Sequence, residues 1–361
     1  MKYIDEYRDR EKVDAMVKRI HDVSTKQVVL MEVCGGHTWA IQKFGIPSLM
    51  PHTIDLVSGP GCPVCVTDRK FIDHAVALSR VPDVIITTYG DLMRVPGSSS
   101  SLNAEKGTGA DVRMVYSILD ALVVAEQNPN KKVVFLGVGF ETTTPPSAAG
   151  LINAKKKNLK NFFLLSSHKV MPPAMAALID EGVKINGYIA PGHVSVITGT
   201  SIYEPVPLNY GVGCVVSGFE PLDILQSIYM LVKQFEENDF KVEIQYKRAV
   251  TREGNVKARQ AIHEVFVPRD DWWRGLGTLP LSGLAVNEEY AEFDAERMIQ
   301  VEIEPTKEDK GCICGEILKG LKKPNDCALF GKACTSMNPV GACMVSHEGA
   351  CNAYLRFSGL Q

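Results

Sequence analysis

Gln27-Val28-Val29-Leu30-Met31-Glu32-Val33 is a short apolar run that closes on Cys34-Gly35-Gly36-His37-Thr38. Its length and β-branched content suit a buried strand, with a helix expected to begin near Trp39. The same grammar recurs along the chain. Asp83–Thr88 ends at Tyr89-Gly90-Asp91, and Lys132–Gly137 ends at Gly139-Phe140-Glu141-Thr142-Thr143. Asn161–Leu165 ends at Ser166-Ser167-His168-Lys169, and Gly187–Ala190 at Pro191-Gly192-His193-Val194-Ser195. Gly213–Val216 ends at Ser217-Gly218-Phe219-Glu220. Helical patterns lie between, at Met114–Gln127, Pro172–Glu181 and Pro221–Glu236, with an amphipathic one at Tyr7–Ser24. Asp68 is placed to cap a helix over Arg69–Ser79.

Apolar strands alternating with amphipathic helices indicate parallel α/β sheets. In such sheets ligands bind outside the carboxyl ends of the strands. Glu141, Thr142, His168 and His193 occupy such ends and make one possible cleft. At 361 residues the chain exceeds the roughly 250–300 residues of a single core. The expected architecture is α/β, with two similar domains built on mainly parallel sheets, 25–125 and 126–235. A third domain would join 1–24 to 236–361, whose texture changes to short strand-like pieces, a Trp272-Trp273-Arg274 loop and a cysteine-rich end.

The formal net charge of −3 gives no electrostatic case for nucleic acid, and the run Lys155–Lys157 reads as a solvated helix face. The start, Met1 to Glu6, is polar rather than a targeting segment. No stretch approaches the ~20 apolar residues of a membrane helix. A cytoplasmic protein is therefore expected, without membrane or nucleic acid partners. In that compartment disulfides are rare, so ten cysteines point to metal or redox chemistry.

Six of them lie between Cys312 and Cys351, spaced C-x-C-x12-C-x6-C-x8-C-x7-C, in the module that runs to Gln361. Zinc knuckles use closer pairs, whereas iron–sulfur clusters accept irregular spacing and a cube takes four thiolates. An iron–sulfur cluster is the favoured reading over zinc or disulfides, and spacing does not choose four ligands from six. Gly59-Pro60-Gly61-Cys62-Pro63-Val64-Cys65 is a C-x-x-C in a Gly/Pro loop, suited to dithiol–disulfide cycling or to metal. Cys34 beside His37 can bind a transition metal or act as a nucleophile, or be a structural pair. Cys214 reads as core. Neither a Walker P-loop nor a Gly-x-Gly-x-x-Gly after the first strand is present, so no nucleotide cofactor is expected.

Five blocks together resemble the hydrogenase maturation factor HypD family. They are Cys34–Thr38, Gly59–Cys65, Gly139–Thr143, Pro191–Ser195, and the terminal run through Gly341-Ala342-Cys343-Met344-Val345-Ser346 to Glu348-Gly349-Ala350-Cys351. Ser336 is the one departure, at a position where the family commonly has proline. The resemblance implies a scaffold on which the Fe(CN)2CO unit of [NiFe]-hydrogenases is assembled, in complex with the chaperone HypC, with HypE and HypF supplying cyanide. It implies an iron cargo held between Cys34 and a chaperone cysteine, with His37 nearby. It further implies a [4Fe–4S] cluster on Cys312, Cys327, Cys334 and Cys351, and a redox pair at Cys314 and Cys343. A thiol relay through Cys62 and Cys65 toward Cys34 follows as a hypothesis. Such a protein is an assembly scaffold with redox activity rather than a conventional turnover enzyme. The competing reading is a stand-alone iron–sulfur thiol–disulfide oxidoreductase. Trp39, Ile41 and Phe44 are candidates for the chaperone surface, and the role of Glu348 is open.

Overall fold

The computed structural model describes residue 2 and residues 4–357. Met1 and Tyr3 of the polar start, and residues 358–361 of the cysteine module, lie outside the described residues.

Eleven strands are found among the described residues: β1 (Val28–Glu32), β2 (Ile54–Ser58), β3 (Val84–Thr88), β4 (Asp111–Met114), β5 (Lys132–Gly139), β6 (Phe162–Lys169), β7 (Gly187–Pro191), β8 (Gly213–Ser217), β9 (Val242–Ile244), β10 (Phe266–Trp273) and β11 (Gly277–Val286). They form two sheets. The first has the order β2-β1-β7-β8-β9, all parallel. The second has the order β10-β11-β6-β5-β3-β4, parallel except for the β10–β11 hairpin, which joins β6 antiparallel. The fold is thus mixed α/β with two mainly parallel sheets, as the alternation of patterns requires.

The sheets interleave along the chain, and this differs from the expected boundaries at 25–125 and 126–235. The first sheet takes residues 28–58 and 187–244, and the second takes 84–169 and 266–286. Local pattern identifies strands but not their neighbours, so it misses a chain that leaves a sheet and returns. The amphipathic helix, Arg10–Val23, is capped by the Asp9 side chain. It packs on the helix Pro221–Glu237 of the first sheet, rather than on the cysteine module. Its Ile20 sits in a core cluster with Leu30, Ile189 and Val215. The Trp272–Arg274 segment is the end of a hairpin rather than a free loop. Asp68 caps Arg69–Ser79 by accepting from the Lys70 amide, and Cys214 is fully buried, both as the sequence predicts. No helix among the described residues is long and apolar enough to cross a membrane.

Register sets the functional edge. Glu32 pairs with Ser58 and Ile189, and Pro191 with Ser217. The residues that follow these strand ends, Cys34, Cys62, His193 and Phe219, therefore come off one edge of the first sheet.

Candidate metal and thiol site

Cys34 starts the helix Gly35–Lys43 in extended backbone, so the helix begins at Gly35 and not near Trp39. Gly61 explains why. A Cβ there would lie 2.1 Å from the Cys34 amide nitrogen, and the Gly61 carbonyl accepts from the Gly35 amide at 2.9 Å. The Gly/Pro loop thus lies directly on the Cys34 backbone. Gly35 is equally constrained, since a Cβ would lie 2.3 Å from the Glu348 Cβ and 2.6 Å from its carbonyl oxygen. Glu348 thus lies over the start of the helix that follows Cys34. Burial, and then the Glu348 carboxylate, push the Cys34 thiol well above the ordinary thiol range.

Glu32, the one acidic residue in the buried strand β1, is a site residue that motif reading passed over. Its carboxylate accepts from the Cys34 amide at 3.1 Å and from the Thr38 hydroxyl at 2.5 Å. Burial raises its pKa to about 8. A carboxylate inside an otherwise apolar strand was the available signal.

His37 is fully buried. Its Nε2 lies 2.9 Å from the Gly218 carbonyl and 3.3 Å from that of Ser217. Carbonyls only accept, so Nε2 carries the proton and Nδ1 keeps its lone pair. That Nδ1 is buried with no hydrogen-bond partner. Burial lowers the imidazole pKa to about 4, so the ring is neutral near pH 7. Phe219 stacks between His37 (centroids 4.6 Å) and His193 (4.1 Å). His193 thus joins the Cys34 edge through an aromatic ring.

The other three cleft candidates, His168, Glu141 and Thr142, come from the second sheet. His168 lies inside β6, because the hairpin extends the sheet past the expected strand end. Its Nε2 meets the Ser147 hydroxyl at 2.8 Å, and its ring packs edge-on to Phe266. Glu141 is buried and accepts from the Met171 amide at 3.0 Å, with its second oxygen unpartnered. Burial raises its pKa to about 7. Thr142 is half-buried beside it.

Cys62 and Cys65 form a disulfide with Cα atoms 5.2 Å apart. Cys62 caps the short helix Pro63–Val66, and its sulfur accepts from the Cys65 amide at 3.2 Å. The helix Ala342–Val345, which carries the fully buried Cys343, packs on Pro63–Val66. Cys62, Cys65, Cys314, Cys334, Cys343 and Cys351 belong to one buried cluster.

The terminal module folds onto this edge. Its helix Ala350–Phe357 packs on Gly35–Lys43, with Trp39 edge-on to Phe357 at 5.6 Å. Trp39 is therefore partly covered. Ile41 is buried, so it is not part of an exposed chaperone surface, while Phe44 is half-buried.

Cys312, Cys314, Cys327, Cys334 and Cys351 line one apolar pocket with Ile317, Leu329, Phe330 and Met344. Cys343 does not line it. The Cys312 and Cys314 sulfurs are 3.2 Å apart. A Cβ on Gly341 would lie 2.7 Å from each, so only glycine admits the loop so close to them. The Val340 amide donates to the Cys334 sulfur at 3.3 Å. The Cys312 and Cys351 thiols are pushed up, first by hydrogen bonding to Cys314 and then by burial. Soft sulfur donors in an apolar pocket, with an amide aimed at one sulfur, are the donor chemistry an iron–sulfur cluster uses, though among the described residues no group of three or more such side chains is gathered closely enough to hold a metal ion. The pocket brings Cys314 in with the four thiols the resemblance assigned, so it does not set Cys314 apart with Cys343.

A sequence profile of the HypD family, described as the hydrogenase formation hypA family, matches residues 11–358. The chain is 46% identical to hydrogenase maturation factor HypD2 of Bradyrhizobium diazoefficiens, over 98% of this chain and 96% of the relative. It is 46% identical to HypD of Azotobacter vinelandii, over 99% and 97%. The corresponding figure for HypD of Escherichia coli K12 is 43%, over 99% and 98%. The chain belongs to the HypD family of hydrogenase maturation factors.

Proposed function

We propose that the chain is the scaffold on which the Fe(CN)2CO unit of [NiFe]-hydrogenases is assembled, in the cytoplasm, with HypC as partner and with HypE and HypF delivering cyanide. The observation that carries this reading is convergence. The Gly61–Cys62 loop lies on the Cys34 backbone, and the helices carrying Cys343 and Cys351 pack on Pro63–Val66 and on Gly35–Lys43, so segments far apart in sequence meet beside Cys34.

The cargo iron binds the Cys34 sulfur, with a chaperone cysteine completing the thiolate pair. Low-spin iron carrying cyanide and CO favours such soft ligands. The half-buried Cys34 thiol holds its proton until a cation replaces it, since metal binding to a thiol releases a proton. Glu32 fixes the Cys34 amide and the Thr38 hydroxyl, so the loop keeps its shape during that exchange. His37 presents an unprotonated Nδ1, a lone pair that accepts a hydrogen bond or reaches a metal, while its Nε2–H is held by two carbonyls.

Cys312, Cys327, Cys334 and Cys351 would hold a [4Fe–4S] cluster, with Cys314 at the same pocket, and such a cluster would supply one-electron redox capacity there. Cys343 attacks the neighbouring disulfide. Its thiolate forms a bond to one sulfur of the Cys62–Cys65 pair, the S–S bond breaks, and the other sulfur leaves as thiolate. Close packing of the Cys343 helix on Pro63–Val66 supports this contact.

The test is the double variant Cys62→Ser, Cys65→Ser, purified without oxygen. The proposal expects hydrogenase maturation to stop while the iron–sulfur absorbance of the purified chain stays intact. Normal maturation in that variant would remove the disulfide from the mechanism.

A further inference from the structure

One side chain ties down the far end of the Gly/Pro loop around Cys62. Arg274, at the tip of the β10–β11 hairpin, is only 8% exposed. Its Nε donates to the Cys65 carbonyl at 3.0 Å and its Nη2 to the Thr67 carbonyl at 3.1 Å. Its backbone amide donates to the Val66 carbonyl at 3.0 Å. Three successive carbonyls directly after the disulfide are therefore held by one residue. Glu308 accepts from Nη1 at 3.3 Å, so all three guanidinium nitrogens are engaged. The next residue, Gly275 (φ +88°), approaches Gly315 so closely that a Cβ would lie 2.7 Å from the Gly315 carbonyl. The same tip thus spans the disulfide and the Cys312–Gly315 turn.

We infer that Arg274 is a positioning residue for the Cys62–Cys65 couple: by fixing the Cys65–Thr67 backbone it keeps Cys65 within reach of Cys62 after reduction, so that the disulfide re-forms readily. This deepens the proposed redox role of that pair and rests on it. Reduction by a dithiol breaks the S–S bond, transfers two electrons and two protons to Cys62 and Cys65, and leaves the reductant as its own disulfide. A thiol pair kept in place has a high effective concentration, which favours the closed form. Freed from the clamp, the reduced loop gains conformations and the balance moves toward dithiol.

The fork geometry is the essential part. Lysine has one nitrogen in place of a planar fork and does not span both carbonyls and Glu308 together. Arg274→Lys and Arg274→Met should behave alike, because the effect comes from the fork and not from the charge.

The measurement is the dithiothreitol ratio at which half of Cys62–Cys65 is reduced, read by alkylation and peptide mass on the full-length chain without oxygen. Both variants should be half reduced at a roughly tenfold lower ratio of reduced to oxidised reagent, about 30 mV for a two-electron couple. A midpoint within threefold of the parent in either variant would overturn the inference. Arg274→Lys keeps bulk and charge, and it carries the test if Arg274→Met does not fold. Hydrogenase maturation is not the readout, so loss of the clamp effect is separable from loss of the disulfide's role.

Discussion

The carboxyl edges of the two sheets are electrostatic counterparts with different outcomes. Each buries one glutamate whose pKa is raised, Glu32 to about 8 and Glu141 to about 7. Each also buries one histidine whose pKa is lowered to about 4, His37 and His168. At the first edge the glutamate orients a cysteine loop, and the histidine stacks on Phe219 and His193. At the second, the glutamate binds the Met171 amide, and the histidine closes on Ser147 inside a strand. A buried Glu–His combination is therefore no mark of chemistry by itself. The difference is what surrounds each pair: the Gly59–Cys65 loop and the terminal module lie on the first, whereas β11 extends the second sheet beside His168.

Glycines break this comparison most sharply. Gly61→Ala forces a Cβ into the Cys34 backbone and should cost several kcal/mol, about the 4–5 that marks exceptional substitutions. Gly137→Ala at the second edge meets the ends of the Leu164 and His168 side chains at 2.7 and 2.9 Å. Side chains give way more cheaply, so about 1–3 kcal/mol is expected. Chemical denaturation of both variants measures the gap, and equal losses would mean that the Cys34 loop is no tighter than an ordinary core contact.

The histidines should separate function from stability. His37→Ala should abolish retention of cargo iron in the purified complex. His168→Ala should leave iron retention intact and lower stability by about 2–4 kcal/mol, through the lost Ser147 bond and the cavity. Iron analysis beside thermal melting distinguishes them, and the same iron loss in both variants would contradict separate roles.

The smallest effect concerns pH. The pKa of Glu141 is raised in the folded chain, so its contribution to stability is full below about pH 4.5 and is lost as pH rises through 7. Both histidines are lowered, so their contribution is full above about pH 6.5 and is lost as pH falls toward 4. Glu141→Gln removes only the first of these. It should raise the melting temperature at pH 8 relative to the parent, by an amount corresponding to roughly 1–3 kcal/mol, with little gain at pH 5. An equal change at both pH values would assign the effect to packing.

Strand identity was legible because apolar runs ending in polar clusters are local signals. Sheet membership was not, because β1 pairs with β7 across more than 150 residues of chain, and no local pattern records such a pairing. β2 and β4 were also missed: Ile54–Ser58 and Asp111–Met114 lie at sheet edges and mix apolar with charged residues. At the site, Cys34, His37 and the C-x-x-C were visible as motifs. Glu348, Phe219 and Arg274 stood in quoted stretches, but their roles were hidden, because those roles come from what they touch. Gly35 has no Cβ because Glu348 fills that space, and a sequence alone shows the glycine without its reason.

The central claim is that Cys34 is where the cargo iron is held. Infrared spectra of the complex of this chain with its chaperone, purified without oxygen, test it most directly. The parent complex should show bands in the cyanide and carbonyl stretching region, and Cys34→Ala should lose them while keeping its iron–sulfur absorbance. Cyanide and carbonyl bands of undiminished intensity in Cys34→Ala would contradict the account.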